Sequence, residues 1–251
     1  MAVLGSTGSI GVQALEIIRN SPSLELHSIF CGSSADALAG QIRRYGPGMA
    51  GMAHPPRGGA PEGVCSGPGS LRKVIEGADM VLNAIVGSAG LEASLAAREM
   101  GIPLALANKE SLVIGGELLD DHLEKGLVIP VDSEHSTVFR CLAGEARPPA
   151  KILLTASGGA LRDMPPEEVY RAPVERVLAH PNWEMGSRIT VDSASMVNKA
   201  FEVIEARKLF PGIPVGVVVH PESIVHSLVE TADGAWKALM DAMEASRRAV
   251  V

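Results

Sequence analysis

Three glycines spaced by three, Gly5, Gly8 and Gly11, constrain this chain more than any other feature. They lie between the apolar residues 1–4 and residues 12–19, where Leu15 and Ile18 recur at helical spacing, so the order reads strand, tight turn, helix. Glycine permits an approach to the backbone that a Cβ would block. In such a turn, unpaired N–H groups and the positive end of the helix can face a pyrophosphate. The spacing suits a crowded turn without a ligand as well, and alone it is a weak dinucleotide signal.

The alternation continues downstream. Apolar residues 24–30, 80–85, 103–107 and 127–131 read as strands, and residues 35–44, 91–100 and 117–124 read as helices. Such βα alternation predicts an α/β, Rossmann-like parallel sheet covered by helices on both faces, over residues 1–130. Residues 45–69 hold eight glycines and five prolines, which predicts a long surface loop. Beyond residue 130 the pattern becomes α+β. It has a strand at 152–154, a small-residue turn at 157–159, a helix near 194–209, and strands at 215–219 and 224–229. The Ala, Leu, Met and Glu content of residues 235–248 predicts a closing helix, so 131–230 forms a second domain and 231–251 a divergent C-terminal helix.

Composition removes several classes of function. With 22 basic against 29 acidic residues and 3% aromatics, the chain lacks both the charge and the stacking surface that nucleic acid requires. No uninterrupted apolar run approaches the ~20 residues of a membrane span. Cys31, Cys65 and Cys141 are too few and too scattered for a disulfide framework or a thiolate zinc site. Residues 1–4 run straight into the glycine turn without the pattern of a secretory signal, so a cytoplasmic setting is expected.

Four polar groupings carry the candidate chemistry. Gly32, Ser33 and Ser34 follow the second strand, where a cofactor ribose or its phosphate is selected, and no acid appears until Asp36, a weak bias against NAD. Lys109 stands just past the strand at 103–107, where crevices form in parallel sheets, although a surface lysine is the plain alternative. Asp132 and Glu134, at i and i+2 on an expected strand end, project to one side, and Glu202 lies one helical turn beyond Asn198, near Asp192, Ser193 and Lys199. Oxygen donors without a thiol suit Mg²⁺ or Mn²⁺, while the competing reading makes Asp132 a helix cap and Glu202 a solvated charge. Ser157-Gly158-Gly159 can cradle a phosphate or be only a turn. The stretch from His180 through Trp183 and Met185 to Gly186 suits a mobile flap, though His and Trp are more often packing residues.

Taken in order, these segments resemble the 1-deoxy-D-xylulose 5-phosphate reductoisomerase family. The resemblance is carried by residues 5–11, Asn108 to Val113, Pro130 to His135, Ser157 to Gly159, His180 to Trp183 with Met185 and Gly186, and Val191 to Ser193. It continues through Asn198, Lys199 and Glu202 to His220-Pro221 and His226-Ser227, spanning about residues 1–229. It implies a cytoplasmic NADPH- and divalent-metal-dependent enzyme that isomerises and reduces a ketose phosphate in the non-mevalonate isoprenoid route. It also implies cofactor contacts from Thr7, Gly8, Ser9, Ile10, Gly32, Ser33, Ser34, Asn108, Glu110 and Gly186. Asp132, Glu134 and Glu202 would hold the metal. Lys109, Ser133, Glu134, Ser157, His180, Ser193, Asn198, Lys199 and Glu202 would meet the substrate, with Lys109, Glu134 and His180 as catalytic groups and residues around Trp183 as a lid.

Two departures from the family pattern stand out. Ser33 and Ser34 replace a basic or amide pair that usually favours NADP. Residues 231–251 match neither the family's Pro-Asp-Met-Arg strand nor its C-terminal helical domain, so the family's homodimer and turnover are expected to be affected. A shortened homologue that binds nucleotide or metal without turnover is the alternative. A different NADP-dependent oxidoreductase is disfavoured, because a generic dehydrogenase needs neither three converging acids nor the Ser-Gly-Gly turn.

Overall fold

In the computed structural model, which describes residues 1–182 and 186–240, the strand–glycine turn–helix opening is the centre of a larger sheet. Strand β1 (Ala2–Leu4) leads through the turn into α1 (Ser9–Asn20), whose Ala14, Leu15 and Ile18 are buried. There follow β2 (Ser28–Cys31), α2 (Ala35–Tyr45), β3 (Met49–Met52), β4 (Val64–Ser66), α3 (Ser70–Ile75), β5 (Val81–Asn83) and α4 (Gly90–Glu99). Next come β6 (Leu104–Leu106), α5 (Glu110–Gly115), a 3₁₀ turn (Gly116–Leu119), α6 (Asp120–Glu124) and β7 (Val128–Pro130). The seven strands lie in the order β4-β3-β2-β1-β5-β6-β7, every pair parallel. Because β1 pairs with β2 on one side and β5 on the other, the strand order reverses at β1, and the glycine turn opens at that switch point. Val3, Leu15, Ile29, Leu38, Met52 and Leu82 form part of the core against α1 and α2, each worth about 1.5–3 kcal/mol when fully buried.

The second unit begins at Ser133, where contacts divide the chain. It comprises α7 (Ser133–Leu142), β8 (Lys151–Ala156), α8 (Pro166–Val169), α9 (Val174–Val177), α10 (Ser187–Ala194) and α11 (Val197–Leu209). It ends with β9 (Val215–Val219), β10 (Val225–Glu230) and β11 (Trp236–Met240). Its sheet runs β11-β10-β8-β9, with β8 and β9 parallel and the other pairs antiparallel. Val138, Cys141, Ile152, Leu154, Ala206, Phe210 and Val229 pack as its core, joining α7 and α11 to the sheet. Among the described residues no helix is long and apolar enough to cross a membrane.

Three expectations are corrected. Residues 45–69 are not one surface loop, because β3 and β4 lie within them and pair parallel to β2 and to each other. Gly51, which reads as a breaker, is a packing residue: a Cβ there would stand 2.8 Å from both Phe30 and Val74. The described beginning of the expected 235–248 helix is the strand β11, whose pairing with β10 overrides its helix propensity. The remainder of that segment lies outside the described residues. Glu134 is not on a strand end. It occupies the first turn of α7, so its alignment comes from a helix start rather than from strand alternation.

Candidate active site

The glycine turn is shaped by contacts that only glycine satisfies. Gly5 takes φ +79°, and a Cβ there would fall 2.4 Å from the Ala84 carbonyl oxygen. At Gly11 a Cβ would fall 2.3 Å from the Gly5 oxygen, whereas at Gly8 the same oxygen would stand at 3.2 Å. Gly8 caps α1 without a side-chain hydrogen bond, and the first turn of α1 has no acid, so Thr7, Ser9 and Ile10 surround a helix start that carries no countercharge of its own. Gln41 of α2 donates to the Ser6 carbonyl at 2.7 Å and steadies the turn from beneath. Nothing in the local pattern marks Gln41, since the contact joins residues 35 apart. Gly32, Ser33 and Ser34 are exposed after β2, and the Gly32 carbonyl accepts from the His54 N–H at 2.9 Å.

At the carboxyl end of β6, Lys109 Nζ donates to Asp132 Oδ2 at 2.8 Å, with both side chains close to nine-tenths buried. Asn108 and Glu110, expected at the cofactor, are engaged with the loop after β5. Asn108 Nδ2 donates to the Ile85 and Gly87 carbonyls at 2.7 and 2.9 Å, and Gly87 N–H donates to Glu110 Oε1 at 3.1 Å.

In the second unit, α7 and α11 bring Glu134, Asn198, Lys199 and Glu202 together. Lys199 Nζ lies 3.1 Å from Glu134 Oε1 and also pairs with Glu202 Oε2, and Glu202 is almost fully buried. The two glutamates offer oxygens within 4.8 Å of each other. Asn198 donates to Glu202 across one helical turn, as the i, i+4 spacing predicts. Ser133 donates to Glu134, and Ser227 of β10 donates to the Glu134 carbonyl at 2.9 Å. Two carboxylates beside one ammonium make an oxygen-rich setting of the kind that suits a hard cation. Asp132, at the end of the first unit, is separated from Glu134 by Ser133 alone. His135, which no sequence pattern marks, supports the cluster: its Nε2 donates to the Glu202 carbonyl at 2.9 Å and its Nδ1 lies 3.1 Å from Glu205, so a buried ring ties α7 to α11.

A separate grouping surrounds the Ser157 turn. Gly158 and Gly159 both have positive φ, and a Cβ on Gly159 would fall 2.3 Å from the Ser193 carbonyl oxygen, so the turn presses on α10. Asn182 N–H donates to His180 Nδ1 at 3.2 Å, which leaves the imidazole proton on Nε2, 3.0 Å from Ser157 Oγ. That oxygen also accepts from Gly159 N–H at 3.2 Å. Burial, and then the charge of Arg162, hold the His180 pKa below its ordinary value, in keeping with a neutral ring. His180 thus acts here as a clamp on Ser157. Gly186 caps α10, while Trp183 and Met185, expected in the lid, lie outside the described residues.

A glycine turn at the switch point of a seven-stranded parallel sheet defines an α/β chain of Rossmann-like fold, and its second unit carries a cluster of carboxylates around Lys199. Comparison with known proteins makes this particular. The model of 1-deoxy-D-xylulose 5-phosphate reductoisomerase matches residues 1–116, and that of its C-terminal domain matches residues 128–210. The reductoisomerase of Bacteroides fragilis is 44% identical over 95% of this chain and 66% of its own length. That of Anaeromyxobacter sp. is 47% identical over 93% and 64%. A crystal structure of DOX-P reductoisomerase in complex with NADPH, fosmidomycin and magnesium superposes with a TM-score of 0.86 at 35% identity, covering 99% of this chain and 68% of that one. The enzyme from Zymomonas mobilis in complex with NADPH gives 0.82, also at 35%. The chain belongs to the 1-deoxy-D-xylulose 5-phosphate reductoisomerase family, and it spans about two thirds of the length of these relatives.

Proposed function

We propose that this chain carries out the family reaction, the isomerisation and NADPH-dependent reduction of 1-deoxy-D-xylulose 5-phosphate to 2-C-methyl-D-erythritol 4-phosphate. The observation that carries the reading is the convergence of Glu134 and the buried Glu202 on Lys199, with Asp132 two residues before Glu134 in the sequence. The donor set fits a hard divalent cation: carboxylates with hydroxyl and amide neighbours, and no thiol. Asp132, Glu134 and Glu202 would hold Mg²⁺ or Mn²⁺, which supplies charge stabilisation for a substrate oxyanion. The glycine turn with Thr7 to Ile10 would hold the pyrophosphate of NADPH, the hydride source, with Gly32 to Ser34, Asn108, Glu110 and Gly186 as further contacts.

The chain's own residues perform the positioning. Lys199 stands beside both glutamates, and its ammonium is suited to meet the substrate phosphate by charge and hydrogen bonds. Ser157, held by His180, joins Ser133, Ser193 and Asn198 as hydrogen-bonding groups that fix the substrate. Glu134 and Lys109 are the groups suited to carry a proton. The 2′-phosphate preference, the lid around Trp183 and a homodimer belong to the same proposal. The division into a dinucleotide-binding domain over 1–130 and a catalytic, metal-binding domain over 131–230 belongs to it as well. Purified protein given the ketose phosphate, NADPH and Mg²⁺ should oxidise the cofactor, and a chelator should stop it. Binding of NADPH without oxidation would overturn turnover by this chain and support a binding-only homologue.

A further inference from the structure

Four fully or nearly fully buried polar side chains outside the acid cluster form one directed hydrogen-bond chain. Asn83 Nδ2, at the end of β5, donates to Ser94 Oγ of α4 at 2.9 Å, and Ser94 donates to Ser111 Oγ of α5 at 2.9 Å. Ser111 in turn donates to Asn108 Oδ1 at 2.5 Å. Each hydroxyl gives one bond and takes one, so the direction is set throughout. At its start Asn83 also donates to the Gly90 carbonyl at 2.8 Å. At its end Asn108 Oδ1 takes a second bond from Ser111 N–H at 2.9 Å, while Asn108 Nδ2 grips the Ile85 and Gly87 carbonyls. Gly90 leaves the room for this, since a Cβ there would lie 2.4 Å from the Asn108 side chain.

We propose that Ser94 and Ser111 are positioning residues whose hydroxyl relay fixes the start of α5, where Lys109 and Glu110 stand. Neither serine reaches solvent, and both are 0% exposed. Burying four such groups costs free energy unless all are paired, and a simple α4–α5 contact could be made with alanine, which α4 uses at Ala93, Ala96 and Ala97. What the polar version adds is geometry. It joins the loop after β5, which carries Gly87, to the start of α5, where Lys109 and Glu110 stand.

Hydrogen–deuterium exchange on the full chain tests this directly, comparing Ser94→Ala, Ser94→Thr and, as a control of unrelated destabilisation in α3, Leu71→Ala. Ser94→Ala should raise exchange of amides 107–112 about tenfold while β1 and β5 stay protected, and Ser94→Thr should restore protection. Faster exchange confined to residues 90–97, or an equal rise in 107–112 for Leu71→Ala, overturns the relay. The functional half rests on the reductoisomerase reading. There, Ser94→Ala should weaken NADPH binding about fivefold with recovery in Ser94→Thr. A wild-type chain that binds no NADPH would sink the cofactor reading, while the exchange result still decides the relay.

Discussion

The proposed cofactor turn of the first unit is mostly backbone, whereas the proposed metal and substrate cluster of the second is mostly charged side chains. The turn from Gly5 to Gly11 offers N–H groups, and its shape depends on atoms that are missing: Gly5 and Gly11 sit where a Cβ would strike a carbonyl oxygen. The cluster of Glu134, Lys199 and Glu202 depends on atoms that are present and on two helices holding them in register. A backbone site can be spoiled by adding a methyl group. A side-chain site is spoiled by removing a charge.

The largest effect should come from the second kind. Glu202→Gln keeps the volume of the side chain but removes one of the three carboxylates proposed for the metal. Metal-dependent turnover should fall about a hundredfold or more, with NADPH affinity within about twofold of the parent. Steady-state kinetics over a Mg²⁺ titration, paired with cofactor titration, checks both halves. Undiminished turnover removes Glu202 from the metal site, and a matching loss of NADPH affinity would merge the two regions that the comparison keeps apart.

The first region should respond by steric grade. Gly11→Ala places a methyl 2.3 Å from the Gly5 oxygen, against 3.2 Å for Gly8→Ala, where the backbone is ordinary extended chain at φ −79°. Gly11→Ala should therefore lose about 1–3 kcal/mol of stability and at least about tenfold in NADPH affinity, while Gly8→Ala should lose a fraction of that. Denaturant midpoints and cofactor titration give the comparison. Equal effects at the two positions would mean that the turn is not set by close approach.

The same contrast explains what could be read from sequence. Local spacing exposes the glycine turn, the alternation around it, and the Asn198–Glu202 pair, because each is written in periods of two, three or four residues. The strand β3 escaped because Gly51, counted as a breaker, is there to admit Phe30 and Val74. Strand β11 escaped because its helix-like composition yields to pairing with β10, a contact that no local window contains. His135, Gln41 and Ser94 escaped for the same reason. Their partners stand 67, 35 and 17 residues away, and a lone His, Gln or Ser carries no period.

The smallest effect concerns proton uptake, and it again separates the units, because each holds a histidine whose pKa burial has lowered, His122 in the first and His180 in the second. The unfolded chain protonates such a ring near pH 6.5, while the folded chain resists until lower pH. Both histidines therefore contribute stability that is fully present above about pH 6.5 and declines as pH falls below it. Acids with lowered pKa, such as Glu16 and Asp121, enter only near pH 4, where their unfolded counterparts titrate, and the partly buried Met1 ammonium enters from about pH 8, so both histidines add to the slope between about pH 6.5 and 4.5. His122 Nε2 already donates to the Ile102 carbonyl at 3.0 Å, and a proton added at Nδ1 leaves that bond in place. For His180 a proton on Nδ1 instead turns an acceptor of the Asn182 N–H into a donor, so protonation breaks a contact as well as burying a charge. Denaturant midpoints across this range should thus flatten more for His180→Asn than for His122→Asn, and the reverse order would show that burial alone governs both rings.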